Sequence, residues 1–311
     1  VKIGIPRALL YYWYGQQWAD FWRNCGCEVV ISPPTDPAVI QAGLAVAVDE
    51  LCLPMKIFLG HAIILQPLVD RIMIPHLIKV EPQAYICPKF MGLPDIIAHT
   101  APQVSAQAIV VQVGPRRTDQ QRALAEAAKR AGVKPVKMTP HKPSAVSGLS
   151  PALQELAALQ KQSHFKGKPA VTVGLLGHPY CLYDACFNLD LLQILTRSHV
   201  RFLTPEQMPS QFKGVGSGQL EKDLFWTIGR SQLDALYWML HQEATPVDGL
   251  IQVTPFACGL EAIIGDLLAR RIKQAGLPLL HLNFEEQSGE AGVITRLEAF
   301  LDLIKYRSMV C

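Results

Sequence analysis

The sequence predicts an α/β protein made of two similar halves facing each other, each a mainly parallel sheet covered by helices on both faces. Three observations carry this reading. Short Val/Ile-rich runs bounded by Gly, Pro or Asp alternate with longer segments of helical period, the pattern of strands buried on both sides. The alternation breaks at a proline-rich stretch, 134–150, and then restarts. The chain, at 311 residues and 50% hydrophobic, is long enough to bury two cores.

In the first half the expected strands are 2–5, 28–31, 71–74, 84–87 and 108–113, each a short β-branched or apolar run. The helices between them are 11–25, 37–47, 55–69, 93–99 and 118–131. The first carries Tyr11, Tyr12, Trp13, Tyr14, Trp18, Phe21 and Trp22, a large apolar face for the core. The last ends in Lys129 and Arg130 before Gly132, a basic final turn followed by a helix stop. The domain boundary falls near Ser150, giving an N-terminal α/β domain at 1–150 and a C-terminal one at 151–311. In the second, helix 151–163 opens on Pro151 after Ser150. Strand 170–176, helix 185–197, strand 200–203, helix 220–243, strand 249–253, helix 260–274, strand 279–282 and helix 292–306 follow.

Composition narrows the function. Charged residues are only 18% of the chain against an ordinary share of about 25%, so part of the surface is expected to dock a partner. The net charge of +3 comes without a basic run, which argues against nucleic acid. The most apolar stretch, 57–69, is broken by Gly60, His61, Gln66 and Pro67, so no membrane span is expected. The first residues lack the pattern of a signal peptide, and eight scattered cysteines read as thiols of a reducing compartment; the expected location is the cytoplasm.

Nucleotide signatures are missing. Residues 214–218 are glycine-rich but follow a polar loop and read as a flexible hinge, and no Gly-Lys-Ser/Thr phosphate loop occurs. The cysteines say more. Cys52 precedes Leu53-Pro54 at the entrance of an apolar helix, Cys87 precedes Pro88 at a strand end, and Cys258 precedes Gly259 between a strand and a helix. Ligands of open α/β sheets gather beyond the carboxyl ends of strands, so these thiols could converge on a soft metal. The plainer alternative is three buried cysteines acting as small apolar residues. Cys25, Cys27, Cys181, Cys186 and Cys311 read as packing or incidental residues.

His178-Pro179-Tyr180, after Gly177, reads equally as a ligand-facing loop and as a structural turn, which makes His178 and Tyr180 the catalytic candidates. Lys56 and His61 follow Cys52 on its helix. They could donate to cluster sulfurs, and for His61 a satisfied core position is the stronger reading. Glu285, Glu286 and Glu290 read as the acidic start of the last helix.

Several runs together resemble the 2-hydroxyacyl-CoA dehydratase family, in particular its stand-alone short members related to the activase and the D-component. They are Ile3-Gly4-Ile5-Pro6-Arg7-Ala8-Leu9, Glu50-Leu51-Cys52-Leu53-Pro54 with Lys56, Gly60 and His61, and Ile86-Cys87-Pro88. Gly177-His178-Pro179-Tyr180 with Asp184 and Asn188, Phe256-Ala257-Cys258-Gly259, and the run from Glu286 to Gly292 leading to Thr295-Arg296 follow in the family's order. The resemblance implies two Rossmann-like domains with a cluster site between them. Carried over residue by residue, it implies a [4Fe-4S] cluster on Cys52, Cys87 and Cys258 with one iron open.

It further implies a low-potential electron received from an ATP-hydrolysing activator, used to dehydrate a 2-hydroxyacyl-CoA or relayed to another acceptor. The partner would be that activator or a second dehydratase-like subunit, and a dimer is a further option. The chain departs from the full enzymes in its shorter length, in lacking a recognisable coenzyme A phosphate site, and in offering one cysteine trio. Two other readings therefore stand beside the iron-sulfur one: a non-enzymatic scaffold or binding subunit, and a thiolate zinc protein.

Overall fold

The computed structural model describes residues 1–81, 84–137, 150–162, 171–242 and 246–310. The chain is mixed α/β and divides into two compact units, Val1–Gln154 with Phe225–Thr227, and Glu155–Leu224 with Ile228–Cys311.

The first unit contains β1 (Lys2–Ile5), α1 (Tyr11–Asn24), β2 (Glu28–Ile31), α2 (Pro37–Leu44), α3 (Leu53–Leu65) and β3 (Arg71–Leu77). Then come β4 (Lys79–Glu81), β5 (Ala84–Tyr85), α4 (Pro88–Met91), α5 (Leu93–Thr100), α6 (Pro102–Ser105), β6 (Ala108–Val113) and α7 (Arg117–Arg130). Its sheet has the order β2-β1-β3-β6 and every pairing is parallel. β1 is therefore central, and the strand order reverses beside it, between β1 and β3.

α1 turns Tyr11, Tyr12, Trp18, Phe21 and Trp22 into the core as its aromatic spacing predicts, and the Trp22 indole donates to Met73 Sδ at 3.5 Å. α2 starts on Asp36, whose carboxylate accepts from the Val39 amide at 2.8 Å, with Pro37 in the first turn. α2 and α3 pack backbone to backbone. A Cβ on Gly43 would lie 1.9 Å from the Lys56 carbonyl oxygen, and one on Gly60 would lie 1.9 Å from that of Val39. The two helices thus run antiparallel at a contact only glycine permits, and that contact fixes the start of α3, where Cys52 sits.

α8 (Pro151–Gln162) leads into the second unit, which contains β7 (Thr172–Gly177), α9 (Pro179–Leu182), α10 (Leu191–Arg197), β8 (Arg201–Leu203) and α11 (Thr227–His241). β9 (Gly249–Pro255), α12 (Gly259–Gln274), β10 (Leu279–Phe284) and α13 (Glu290–Val310) complete it. Its sheet, β10-β9-β7-β8, is also wholly parallel and repeats the topology of the first, with the reversal between β7 and β9. β7 and β9 are buried along their whole length, as central strands covered on both faces should be.

Four expectations need correction. The helix expected from residue 220 begins only at Thr227, because Trp226 just before it is drawn into a β-bridge with Tyr85. Residues 84–87 do not form a strand of the parallel sheet: Ala84 and Tyr85 pair antiparallel with β4, and Tyr85 forms a bridge with Trp226. A helix does not run through 185–197, because Leu189 and Asp190 adopt left-handed backbone (φ 54° and 60°) and α10 starts only after them. Residues 214–218 are not a loose hinge. The buried Asp234 carboxylate accepts from the Gly214 and Ser217 amides, each at 2.7 Å, and pins the loop to α11. Most of the proline-rich stretch lies outside the described residues. Among those described, no helix is long and apolar enough to cross a membrane.

Candidate functional site

Cys52 and Cys87 both lie in the first unit, near enough for the charge of Cys87 to act on the Cys52 thiol. Cys52 is the N-cap of α3, which carries Pro54 in its first turn, and Cys87 is the N-cap of α4, followed by Pro88. At these helix entrances the Met55 amide donates to the Cys52 carbonyl and the Phe90 amide to the Cys87 carbonyl, each at 2.9 Å, and neither thiol makes a capping hydrogen bond. The Lys89 ammonium donates to the Glu50 carbonyl at 2.8 Å, tying the two cysteine loops together.

Burial raises the pKa of both thiols, and Lys89 and the amides offset this only in part. For Cys52 the nearby Cys87 raises it further, so the pair resists carrying two negative charges by itself. None of the described cysteines forms a disulfide.

Lys56 and His61 on α3 are both buried. His61 Nε2 lies 3.0 Å from Thr35 Oγ1, and its Nδ1 has no hydrogen-bond partner. Burial first, and the Arg7 charge second, lower its pKa to about 4, against a smaller opposing pull from Asp36. It is a neutral core histidine.

The second unit holds Cys258, His178 and Tyr180. β7 and β9 are parallel neighbours, with Gly177 opposite Val253, so the loops that follow them leave from one edge of the sheet at the strand-order reversal. Cys258 is the N-cap of α12, and Ala257 before it takes a left-handed φ of 59°, a backbone strain of about 1 kcal/mol held at this turn.

His178 is the N-cap of α9, and Tyr180 folds back so that its hydroxyl meets His178 Nδ1. The other ring nitrogen, Nε2, lies 2.6 Å from Glu261 Oε1. Gln232 Nε2 on α11 donates to the same oxygen at 2.7 Å, while the buried Gln252 of β9 makes no hydrogen bond through its amide and Glu261 Oε2 has no partner. Burial opposes ionisation of Glu261, but the His178 charge and the Gln232 hydrogen bond outweigh it and hold the carboxyl below its usual value. On β10, His281 Nε2 sits 3.0 Å from Thr254 Oγ1.

Sequence reasoning named His178 and Tyr180 and missed Glu261, Gln232 and Gln252. A glutamate in the first turn of a helix reads as a partner for the helix dipole, and only its near-complete burial marks it as something else. The available signal was its position three residues after Cys258 on an otherwise apolar turn. Among the described residues, no group of three or more His, Cys, Asp and Glu side chains is arranged to hold a metal ion.

Residues 2–208 match the family described as CoA enzyme activase uncharacterised domain (DUF2229). The chain belongs to that family. No curated protein matches it. The CoA enzyme activase match agrees with the broad activase and dehydratase resemblance of the sequence, and it covers Cys52, Cys87, His178 and Tyr180, while Cys258 and Glu261 lie beyond it.

Proposed function

We infer that this CoA enzyme activase-type chain is an iron-sulfur protein in which Cys52, Cys87 and Cys258 are thiolate ligands. The observation that carries the reading is that all three family-motif cysteines stand at the N-cap position of a helix, and that Cys52 and Cys87 both feel the charge of Lys89. Sulfur donors of this kind suit iron. When bound, a [4Fe-4S] cluster with one iron free of protein ligand supplies a one-electron store and a Lewis-acid position.

The chain's own residues have separate tasks. Lys89 offsets negative charge next to Cys52 and Cys87, and its hydrogen bond to the Glu50 carbonyl holds the two cysteine loops together. The electron would come from an ATP-hydrolysing activator or through a second dehydratase-like subunit, and the acceptor would be a 2-hydroxyacyl-CoA or another small molecule. A reducing, cytoplasmic setting accords with described cysteines that form no disulfide.

Anaerobic reconstitution with iron and sulfide, dithionite reduction and EPR test the assignment. A reduced-cluster signal that ATP plus activator also generates is expected. A protein that remains EPR-silent and binds zinc instead overturns it.

A further inference from the structure

The first unit carries a cavity of about 520 Å³, lined by one face of α7 and by the outer two strands of its sheet. Along β6 the residues alternate: Ile109, Val111 and Val113 are buried, whereas Val110 is half-buried and Gln112 is exposed. His76 of β3 is in register with Gln112, so a ring and an amide stand side by side on the cavity floor, where a covered parallel sheet would carry apolar residues. On α7, Ala123, Glu126 and Arg130 follow at helical spacing, with Lys129 beside them. Ala123 is small enough to leave the space open, and the volume is that of a small-molecule site.

The charges of this cavity are not spent on one another. Glu126 and Arg130 are four residues apart, in the order and at the spacing that favour an ion pair on a helix. They do not form one, because Arg130 Nη2 donates instead to the Val110 carbonyl at 2.6 Å. Among the described residues, the side chains of Glu126, Lys129, His76 and Gln112 enter no ion pair and no hydrogen bond. Arg130 also occupies a carbonyl of the outer strand, which a further strand would need for pairing. The cavity therefore suits a small molecule better than an extended peptide. Lys129 and Arg130 against Glu126 leave one positive charge in excess, with a carboxylate set among the cations. The complement is a molecule of one excess negative charge that carries a cationic group between anionic ones.

We propose that the cavity between α7 and β6 binds an acidic α-amino acid, whose ammonium and two carboxylates match this set of charges. Lys129 and the remaining donors of Arg130 hold the carboxylates, and Glu126 accepts from the ammonium. His76 and Gln112 add hydrogen-bonding groups from the sheet side. The basic final turn of α7 thus serves a ligand as well as the helix dipole. Neither Cys52 nor Cys87 lines the cavity, and the site stands apart from the thiolate reading.

The test titrates the full chain by calorimetry with L-glutamate and, separately, with glutarate, which has both carboxylates and no ammonium. L-Glutamate should bind with a dissociation constant in the millimolar range or below, and glutarate more weakly, because nothing in it answers Glu126. K129A should weaken both about fivefold, the size of a charged hydrogen bond that keeps contact with water. E126Q should weaken L-glutamate about fivefold and leave glutarate no weaker, so the preference for the amino acid disappears. A123L fills the space and should weaken both. The replaced side chains are exposed or half-buried, so these variants should keep the fold of the parent, which circular dichroism checks. No binding of millimolar L-glutamate, or an affinity equal to the parent's in both K129A and E126Q, overturns the proposal. Iron content is independent of both outcomes, so failure here is distinguishable from failure of the thiolate assignment.

Discussion

Glu261 Oε1 lies 2.6 Å from His178 Nε2, joining the first turn of α12 to the loop after β7 by a pair that is almost entirely buried. Because the carboxyl pKa is lower in the fold than its ordinary 4.5, the pair contributes stability above pH 4.5 that is lost as pH falls through the folded value. Acid unfolding followed by circular dichroism should therefore steepen below pH 4.5. E261Q should lose about 2 kcal/mol at neutral pH, as for a hydrogen bond to a charged group, and should flatten that acid limb.

His61 acts in a higher window. Its pKa falls from 6.5 to about 4 in the fold, so the unfolded chain binds the proton more readily between those values. The stability it contributes is complete above pH 6.5 and is lost as pH falls toward 4, by about 3 kcal/mol. Histidine Cε1–H resonances measured against pH should show His61 titrating well below the ordinary histidine range. H61Q should remove the corresponding slope from a pH series of urea midpoints.

The α2 and α3 contact tolerates no side chain at Gly60. G60A places a methyl group on the Val39 carbonyl, so the helices must separate. A loss of about 3 kcal/mol, of the size seen for overpacked cores, is expected in urea unfolding. Since α3 begins at Cys52, the same variant should expose that thiol to alkylation in the metal-free protein.

In the metal-free protein, burial keeps Cys52 and Cys87 protonated at neutral pH. Iodoacetamide at pH 7.5 should label them at least about tenfold more slowly than it labels the urea-unfolded chain, because the thiolate is the nucleophile. K89A should slow them further, since it removes the charge that favours ionisation of both.

Much of the fold was legible in the sequence because the pattern that forms it is local. β1, β2 and β6 occupy the residues their apolar runs predict. β5 was misread because the run Ala84-Tyr85-Ile86-Cys87 is apolar enough for a sheet strand, while its actual partners, β4 and Trp226, are chosen by tertiary contacts that periodicity cannot see. The late start of α10 depends on left-handed backbone at Leu189 and Asp190, which neither side chain advertises. At the site, a strand-end position exposed His178 and Tyr180 to notice. Glu261 and Gln232 stayed hidden because they are 29 residues apart in sequence and meet only after α11 and α12 have packed.

The central claim, that Cys52, Cys87 and Cys258 are iron ligands, is tested most directly by iron and acid-labile sulfide content after anaerobic reconstitution of the parent chain and of C52A, C87A, C258A and C25A. The account predicts ~4 iron and ~4 sulfide per chain in the parent and in C25A, as a cubane cluster requires, and loss of most of both in each of the other three variants. An iron-free parent, or iron retained in full when any one of those three cysteines is replaced, would contradict it.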